Sequence, residues 1–514
     1  MGFGCFRVSI LPNPCAIVSV RKLSCRHIAS GLMAEVLKET VTMARIDPTP
    51  QMSYGGHIRA VSILGLPLIG GHLAQFAIGL TDTVMLGWYG VNELAAVTLA
   101  GSFFFVWFIL GAGFAFAVMP MVASATATDD HRRIRRATRM GLWLSIVYGV
   151  LSMPLMWYSE TILLAAGQEA QVAADAGTYL RIAGWGIFPA LLVMVFKSYL
   201  AGLERTQVVL WITVLAAVIN AIVNYVLIFG HLGLPEMGLQ GAALASLATQ
   251  TVSVVAVVAY ALWRLPEHDL LRNLQRPDWE MMREIVRHGL PIGLTTLCEV
   301  SLFSASALMM GWLGTVPLAA HGIAVSVAGL TFMAHLGLSN AATIRVGNAL
   351  GRGDKTHMVR GAIVVTLASL GIAVATAMVF FLAPEPLILL FLDPEDPQKT
   401  EILAIGVSLL AMAGLFQLMD GMQAIALGLL RGLLDTGVPM VMAALSYWAV
   451  GVPTSYILGF RAEMGGVGVW IGLILGLSTA GVLLLLRFWF HALRRVPTAP
   501  TGEMRADEIM ADPV

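Results

Sequence analysis

Three carboxylates stand inside stretches of the sequence that are otherwise apolar enough for a lipid bilayer. Asp82 lies in the run IGLTDTVMLG, Glu299 lies in LPIGLTTLCEVSLF, and Asp420 lies in FQLMDGMQAIALG. A charged side chain near the bilayer centre costs roughly 2.5 to 3.5 kcal/mol, so such acids are expected to face a cavity or a partner and are functional candidates. For Asp82 the alternative is that it reaches the headgroups, because the turn at Gly87 and Trp88 is close.

Amide side chains accompany the first acid at helical spacing. Gln75 lies seven residues before Asp82, which places the two side chains on one helix face about 10 Å apart. Asn220 and Asn224 lie one turn apart on one face of another apolar run. They offer carbonyl oxygens suited to Na+ or donors that steady a neighbouring carboxylate. Packing between helices is the competing interpretation, since asparagine often bridges spans.

The third acid also has polar neighbours. Gln417 and Gln423 lie three residues on either side of Asp420 and give an otherwise apolar helix a polar face. His321 and His335, in a preceding apolar run, are possible proton relays. Burial with an ordinary hydrogen bond is the alternative for both, because no spacing pairs either histidine with a particular acid.

These side chains must be positioned by membrane-spanning helices. The chain has 514 residues, of which 58% are hydrophobic and 12% charged, with a mean hydropathy of +0.80. Soluble domains carry about 25% charged residues, whereas runs of about 20 apolar residues indicate spans. The sequence therefore predicts an all-α integral membrane protein. Twelve spans are expected near residues 61–88, 94–124, 137–158, 177–200, 206–230, 240–263, 286–312, 318–349, 360–382, 402–428, 436–460 and 468–492.

The placement of charge predicts the topology and excludes several functions. Arginines concentrate in the loops on the side where the chain starts, and acidic loops alternate with them, so both termini are expected in the cytoplasm. The net charge is zero and no basic patch is interleaved with aromatics, so no nucleic-acid partner is expected. The run GNALGRGDKT lacks the glycine that a phosphate loop needs before Lys-Thr, because Asp354 occupies that place, so no ATP site is expected.

The two halves of the sequence are copies of one unit. A shift of 224 residues superimposes LPLIGGHLAQFAIGLTDTVMLGWYGVNELAAVTLA on LPIGLTTLCEVSLFSASALMMGWLGTVPLAAHGIA, with eleven of 35 positions identical. Each half then has six spans, and an even number predicts a pseudo-two-fold axis along the membrane normal. The shift places Glu299 at the position of Gln75 and Ser306 at that of Asp82, so the halves carry their acid at different depths.

Five segments follow from this pattern. Residues 1–54 are expected to be a disordered or misannotated extension, although their arginines and serines faintly resemble a transit peptide. Residues 55–263 form the N-lobe and 286–492 the C-lobe. The polar linker 264–285 is expected to include a short amphipathic helix, and 493–514 form a cytoplasmic tail. The cysteines, three in the first segment and Cys298 in the seventh span, have no disulfide or metal-site spacing.

Several of these runs resemble the multidrug and toxic compound extrusion (MATE) family, in particular its bacterial NorM-like branch. The resemblance covers residues 55–492 and rests on TDTVMLGWYGVNELAAVTLAGS, LPIGLTTLCEVSLFSASALMMGWLG, AATIRVGNALGRGD, FQLMDGMQAIALGLLRGLLDT and YWAVGVPTSYILGF. It implies two six-helix lobes around a central cavity, and export of cationic amphipathic compounds driven by inward Na+ or H+. It also implies a monomer in a bacterial inner membrane, with no cofactor other than the coupling ion.

The resemblance assigns roles to individual residues. Asp82, Glu299 and Asp420 match the family's acids of the first, seventh and tenth helices, and Asn220 matches an asparagine of the ion or proton network. Some relatives have aspartate where Asn224 stands, so a mechanism confined to the first lobe is in doubt. The resulting hypothesis places the coupling ion, Na+ or H+, on Glu299 and Asp420, with Asp82 serving first-lobe coupling or substrate binding.

Three other functions are weighed against this one. A membrane enzyme would need clustered metal ligands or a nucleophile with its base, and neither pattern occurs. A lipid or glycolipid flippase of similar two-lobe architecture is the nearer alternative, but the acids inside the spans favour cationic cargo over anionic headgroups. A passive channel has no need of duplicated lobes with isolated acids.

Overall fold

The computed structural model describes residues 52–270, 272–392 and 397–496, which belong to one compact unit. Every regular element in this described part is a helix. Twelve of these helices are long and apolar enough to cross a membrane, which confirms the twelve predicted spans. The predicted extension 1–54 and tail 493–514 lie outside the described residues except for their edges, 52–54 and 493–496.

The helices that cross the membrane are numbered α1 to α12 and alternate in direction along the chain. The first half contains α1 (Tyr54–Tyr89), α2 (Val91–Thr126), α3 (His131–Trp157), α4 (Ala170–Ala183 continued through a 3-10 turn by Ile187–Gly202), α5 (Thr206–Phe229) and α6 (Gly238–Arg264). The second half contains α7 (Trp279–Leu313), α8 (Thr315–Arg352), α9 (Lys355–Leu382), α10 (Lys399–Gly432), α11 (Gly437–Arg461, with π turns) and α12 (Gly465–Arg495, ending in π and 3-10 turns). Short helices Ser159–Ala165 and Pro384–Leu389 precede α4 and α10.

Aspartate caps begin helices at equivalent places in the two halves. The side chain of Asp130 accepts a hydrogen bond from the backbone N–H of Arg133 at 2.9 Å, and Asp354 accepts one from His357 at 2.8 Å. A carboxylate at this position satisfies an N–H group that the helix leaves without a partner. Asp354, which removes the phosphate-loop pattern, is therefore the cap of α9.

The linker differs from its prediction. In the part of 264–285 that the structure describes, which leaves out residue 271, no separate amphipathic helix forms. A single 3-10 turn covers Pro266–His268, and α7 already begins at Trp279, where the side chain of Asp278 accepts from the N–H of Met281 at 3.1 Å. The charged residues from Trp279 onward form the first turns of α7, because the Asp278 cap starts this helix before its apolar run.

The two lobes are held together on one side of the membrane. We call this side the basic side, because its loops carry the arginines. We call the opposite side, whose loops are acidic, the acidic side. A small apolar cluster, here called the floor, joins α1, α2 and α4 to α8, and none of its members is more than 5% exposed. Its buried members are Leu64, Leu68, Met119, Ala123, Ala201, Ala341 and Ile344.

Glycines let the lobes approach closely around the floor. A Cβ atom on Gly113 of α2 would overlap the carbonyl oxygen of Gly289 and would lie 2.6 Å from the nitrogen and 2.8 Å from the Cα of Gly293, both in α7. At Gly337 of α8 it would lie 2.5 Å from Ile69 of α1. Small residues at helix crossings permit backbone contact and dispersion attraction within membranes.

Ion pairs close the same side. Arg136 of α3 donates from Nε to Asp278 Oδ2 at 2.5 Å and from one terminal nitrogen to Glu280 at 2.7 Å, and Arg133 pairs with Glu284 at 2.9 Å. The Arg136 guanidinium holds the pKa of Asp278 below its usual range. In the described part of the chain, every hydrogen bond between the lobes lies in the basic-side half or, at the farthest, at the middle of α1.

Candidate functional site

The first-lobe acid has two amide partners on one neighbouring helix. Asn220 and Asn224, one turn apart on α5, each donate from Nδ2 to the same oxygen of Asp82 on α1, at 3.0 and 2.5 Å. Both asparagines are fully buried. This contact is the one expected if the amides steady a neighbouring carboxylate. Tyr179 of α4 also lies within electrostatic range of Asp82.

This arrangement leaves oxygen atoms without partners. The Oδ1 atoms of Asn220 and Asn224 are buried and accept no hydrogen bond, although buried polar atoms are normally paired. Both amides direct Nδ2 at the carboxylate, so their Oδ1 atoms are directed away from it. The carboxylate of Asp82 itself suits a proton or a cation.

Gln75 does not join that network. Its Oε1 atom accepts from Nζ of Lys197 on α4 at 3.4 Å. Gln75 and Asp82 therefore share a helix face, as the spacing predicts, but they face different neighbouring helices. The predicted polar network of the N-lobe thus divides into a buried part around Asp82 and an exposed part around Gln75.

The second-lobe acids come together from α7 and α10. Gln423 donates from Nε2 to Oε1 of Glu299 at 3.3 Å, and Glu299 lies within electrostatic range of Asp420. Asp420 is only 2% exposed, and its Oδ1 atom accepts no hydrogen bond. Two carboxylates that interact electrostatically in an apolar surrounding repel each other when both are charged, which favours a shared proton or a bound cation. This pair can therefore share a proton or hold a cation.

Two residues predicted to support these acids are not connected to them. Gln417 donates from Nε2 to the carbonyl oxygen of Ala328 at 2.8 Å and to Oγ1 of Thr331 at 2.5 Å, so it ties α10 to α8. Ser306 is buried and donates to the carbonyl oxygen of Phe303 in its own helix at 2.7 Å. The position equivalent to Asp82 is thus a helix-packing position in the C-lobe.

Arg431 and Tyr447 belong to the C-lobe site but were not predicted. Arg431 occupies the last turn of α10 rather than a loop, within electrostatic range of Glu299. Tyr447 of α11 is fully buried, its hydroxyl has no partner, and both acids act on it electrostatically. The sequence signal for Tyr447 is a hydroxyl within an apolar run, which is too common to single it out.

The two histidines of α8 have different surroundings. His335 is paired through Nδ1 with Oγ of Ser369 at 2.8 Å, as the ordinary interpretation expects, and its ring lies against Gly421, next to Asp420. Its Nε2 has no partner. His321 packs edge-on against Trp470 with ring centroids 5.7 Å apart, and its buried Nδ1 has no partner. Proximity alone makes His335 the better candidate for proton exchange.

Among the described residues, no group of three or more His, Cys, Asp or Glu side chains is placed to hold a metal ion. A cation bound at either acid site would therefore be held by one or two carboxylates together with amide, hydroxyl or water oxygens. Such mixed oxygen ligation with low ligand charge favours weak, exchangeable binding over permanent binding.

Comparison with known proteins supports the repeat and the fold. The MatE family model matches residues 67–226 and again 291–457, two ranges whose starts differ by the same 224 residues. The chain is 48% identical over 453 residues to the probable multidrug resistance protein NorM of Rhizobium meliloti (strain 1021), covering 88% of this chain and 97% of that protein. It is 44% identical over 470 residues to the protein of the same name from Agrobacterium fabrum (strain C58 / ATCC 33970), covering 91% and 100%.

Solved structures give the same fold. The crystal structure of the eukaryotic MATE transporter AtDTX14 superposes with a TM-score of 0.76 at 21% identity, covering 86% of this chain and 99% of that chain. The duplicated six-helix unit, the two family matches and these relatives agree. The chain therefore belongs to the MatE family of multidrug and toxic compound extrusion proteins, and it is a transporter rather than an enzyme.

Proposed function

We propose that this protein is a secondary active antiporter that exports amphipathic organic cations in exchange for Na+ or H+. The observation that carries the proposal is the presence of one acid site in each lobe, the Asp82 carboxylate with its two asparagine donors and the Glu299 and Asp420 pair, in which the buried Asp420 Oδ1 has no partner. Its relatives are named as multidrug resistance proteins, which supports a broad range of cargo. An unpartnered buried carboxylate needs a cation or a proton, and Na+ and H+ gradients across a membrane can supply either one.

Contact between the lobes supports alternating access. The floor, the glycine crossings and the ion pairs all lie in the basic-side half, so the described conformation is sealed there. Rocking one six-helix bundle against the other is a general way to alternate access to a site between them. Opening the basic side would have to break the Arg136–Asp278 pair and separate Gly113 from α7.

Coupling follows from competition for the same oxygens. A cationic substrate entering from the basic side, which we assign to the cytoplasm from its arginines, would be stabilised by ionised Glu299, Asp420 or Asp82. Na+ or protons entering from the acidic side neutralise these carboxylates and remove that stabilisation, so the substrate leaves. A ligand shifts the conformational equilibrium only by its difference in affinity for the two states, and the shared carboxylates supply that difference.

The same proposal includes the location and state of the protein. We infer a bacterial inner membrane with both termini in the cytoplasm, and a monomer, because each lobe contains its own acid site and the floor joins them within one chain. A lipid or glycolipid flippase is the alternative that shares this architecture. The acids inside the lobes, among them Asp420 with an unpartnered Oδ1, favour cationic cargo over the anionic headgroups that a flippase would carry.

The test is transport by the purified full-length protein in proteoliposomes. Efflux of the fluorescent cation rhodamine 123 is measured under an imposed Na+ gradient, an imposed H+ gradient, or neither. We expect one of the two gradients to accelerate efflux, and we expect Glu299→Gln and Asp420→Asn to abolish that acceleration. Glu401→Gln is the matched control, because Glu401 is an exposed acid in the first turn of α10, the helix that carries Asp420.

Two results would contradict the proposal. Efflux that responds to neither gradient in the unaltered protein would exclude antiport with these ions. Gradient-driven efflux that persists in both variants at the level of the Glu401→Gln control would exclude the C-lobe acids as the coupling site. A measured exchange stoichiometry then distinguishes a site that holds one ion from two sites that act together.

A further inference from the structure

A cleft lined mainly by arginines lies on the basic side, between the start of α3, the linker and the start of α7. Its volume is about 300 Å³. The acids in its lining are Asp278 and Glu280, and Asn273 contributes from the linker. Its four arginines all belong to α3: Arg132, Arg135, Arg136 and Arg139. Four guanidinium groups against two carboxylates leave a surplus of two positive charges.

Two of these arginines have hydrogen-bond donors to spare. Arg139 donates from one terminal nitrogen to the carbonyl oxygens of Arg272 and Asn273, at 3.3 and 3.1 Å. Its Nε atom is buried and has no partner. Arg132 is exposed and forms no ion pair with any residue that the structure describes. A buried donor without an acceptor is costly, and phosphate oxygens are strong acceptors for guanidinium groups, so these donors suit an anion.

The other two arginines are already held by acids. Arg136 pairs with Asp278 and Glu280, and one terminal nitrogen of Arg135 lies 3.8 Å from Asp269. An anion in the cleft would compete with these carboxylates and would be repelled by them. Its contacts are therefore expected at the free donors of the cleft, and removal of a competing acid should strengthen its binding.

The face of α3 that carries the cleft continues as a surface that faces lipid. Arg139, Trp143, Ile146 and Val150 follow one another along this face at helical spacing. Ile146 is 43% exposed and Val150 57% exposed. A span crosses the hydrocarbon in about 20 residues, and counting back from exposed Trp157 at the acidic-side end of α3 places Arg139 near the boundary with the headgroups.

Exposed apolar side chains also border the cleft from the linker and from α7. Trp279, which directly follows Asp278, is 72% exposed. Leu274, which directly follows Asn273, is 36% exposed. Trp143 donates from Nε1 to the carbonyl oxygen of Leu274 at 2.6 Å and so holds this part of the linker against α3. Tryptophan is enriched at the headgroup level of membranes, so a cationic cleft with this rim fits an amphipathic anion.

We propose that this cleft binds the headgroup of an anionic phospholipid in the leaflet on the basic side. The phosphate lies between Arg132 and Arg139, and the acyl chains follow the exposed apolar face of α3. Basic pockets between spans on the cytoplasmic side are places where anionic headgroups bind. A soluble phosphate would offer the same oxygens but would gain nothing from the apolar rim. This inference does not depend on the transport proposal, because it concerns the lipid around the protein and not the cargo.

The test measures lipid binding to the purified full-length protein by native mass spectrometry from detergent. Dioleoyl phosphatidylglycerol is compared with dioleoyl phosphatidylcholine, which has the same acyl chains and a zwitterionic headgroup. We expect the unaltered chain to bind phosphatidylglycerol about tenfold more tightly or better, since charge-assisted hydrogen bonds are gained. The double variant Arg132→Gln with Arg139→Gln should lose most of this preference, whereas Arg139→Lys should keep most of it. Arg205→Gln is the matched control, because Arg205 is an exposed arginine directly before α5, on the same side and outside the cleft.

A further variant tests the competition without removing a cation. Glu280 pairs with Arg136 at 2.7 Å and its side chain is 85% exposed, so Glu280→Gln should fold normally and bind phosphatidylglycerol more tightly. If the double variant does not fold, Glu280→Gln and the exposed-site variant Arg132→Gln decide, and unchanged binding in both would overturn the inference.

Three other results would also overturn the inference. The first is equal affinity of the unaltered chain for the two lipids. The second is a loss of preference in Arg205→Gln as large as that in the double variant, which would show a general effect of surface charge. The third is displacement of phosphatidylglycerol by inorganic phosphate or glycerophosphoglycerol at equal concentration, which would assign the cleft to a soluble anion.

Discussion

A single methyl group at the crossing of α2 and α7 should shift this protein away from the conformation described above. In Gly113→Ala the new Cβ would lie 2.6 Å from the nitrogen and 2.8 Å from the Cα of Gly293, and would overlap the carbonyl oxygen of Gly289. All three atoms are backbone, so they cannot rotate away. Overpacking of this kind costs about 1 to 3 kcal/mol, which corresponds to a change of about 5- to 150-fold in the ratio of closed to open basic side. The gain in helix propensity from glycine to alanine, about 1 kcal/mol, is the same in both conformations and cancels.

The measurement is a distance between spin labels on the basic side of each lobe. Exposed Arg205 and Thr356 are replaced by labelled cysteines, in a chain from which the four native cysteines have been removed. Pulsed electron paramagnetic resonance should show one short distance for this labelled parent and a second, longer population for Gly113→Ala. The control is Gly101→Ala in the same helix, because a Cβ there meets nothing within 4 Å. If both variants give the parent's distribution, the glycine contact does not determine which side is closed, and the reasoning fails.

Two further predictions concern one side chain pair and one ion pair. Gln423→Leu removes the donor to Glu299 and should change the apparent affinity for the coupling ion about tenfold. Gln417→Leu should lower thermal stability without changing that affinity. Equal effects of the two variants on ion affinity would contradict the assignment of Gln423 to the acid site and of Gln417 to helix packing. Because the pKa of Asp278 is lowered by Arg136, their pair stabilises the closed basic side at every pH above the ordinary aspartate value of about 3.8 and is lost only in more acidic solution. The ratio of closed to open basic side should therefore be constant between pH 5 and 8. In Asp278→Asn this ratio should fall by about 5- to 30-fold, for a loss of about 1 to 2 kcal/mol. A ratio that depends on pH in the parent and no longer does so in Asp278→Asn would refute this assignment.

The parts of the acid sites that sequence could predict are those fixed by position along one helix. Spacing placed Asn220 and Asn224 on one face of α5, and the structure brings that face to Asp82. Spacing equally placed Gln417 and Gln423 beside Asp420, but only Gln423 reaches an acid. Two residues three apart on either side of an acid point in different directions, and periodicity does not say which neighbouring helix each one meets.

Cationic residues inside the spans are harder to place from the sequence. The acids inside the spans favour cationic cargo, whereas Arg431 lies beyond the predicted span 402–428 and Lys197 lies within the predicted span 177–200. The helices are longer than the apolar runs that reveal them, since caps such as Asp278 and Asp354 start them in polar sequence. Charges near the ends of those runs therefore remain within helices, and packing decides whether they face water, lipid or the space between the lobes.

The sequence by itself determined that this chain crosses a membrane twelve times, that its halves are copies shifted by 224 residues, and that acids lie in three of its helices. These properties depend on hydropathy and spacing, which are local. Only the tertiary structure decided that Asp82 has two asparagine partners, that Glu299 and Asp420 lie within electrostatic range of each other, and that Lys197 donates to Gln75. Such relations depend on which faces of distant helices meet, and that is set by close contacts such as the one at Gly113, where the absence of a side chain leaves no mark in a hydropathy pattern.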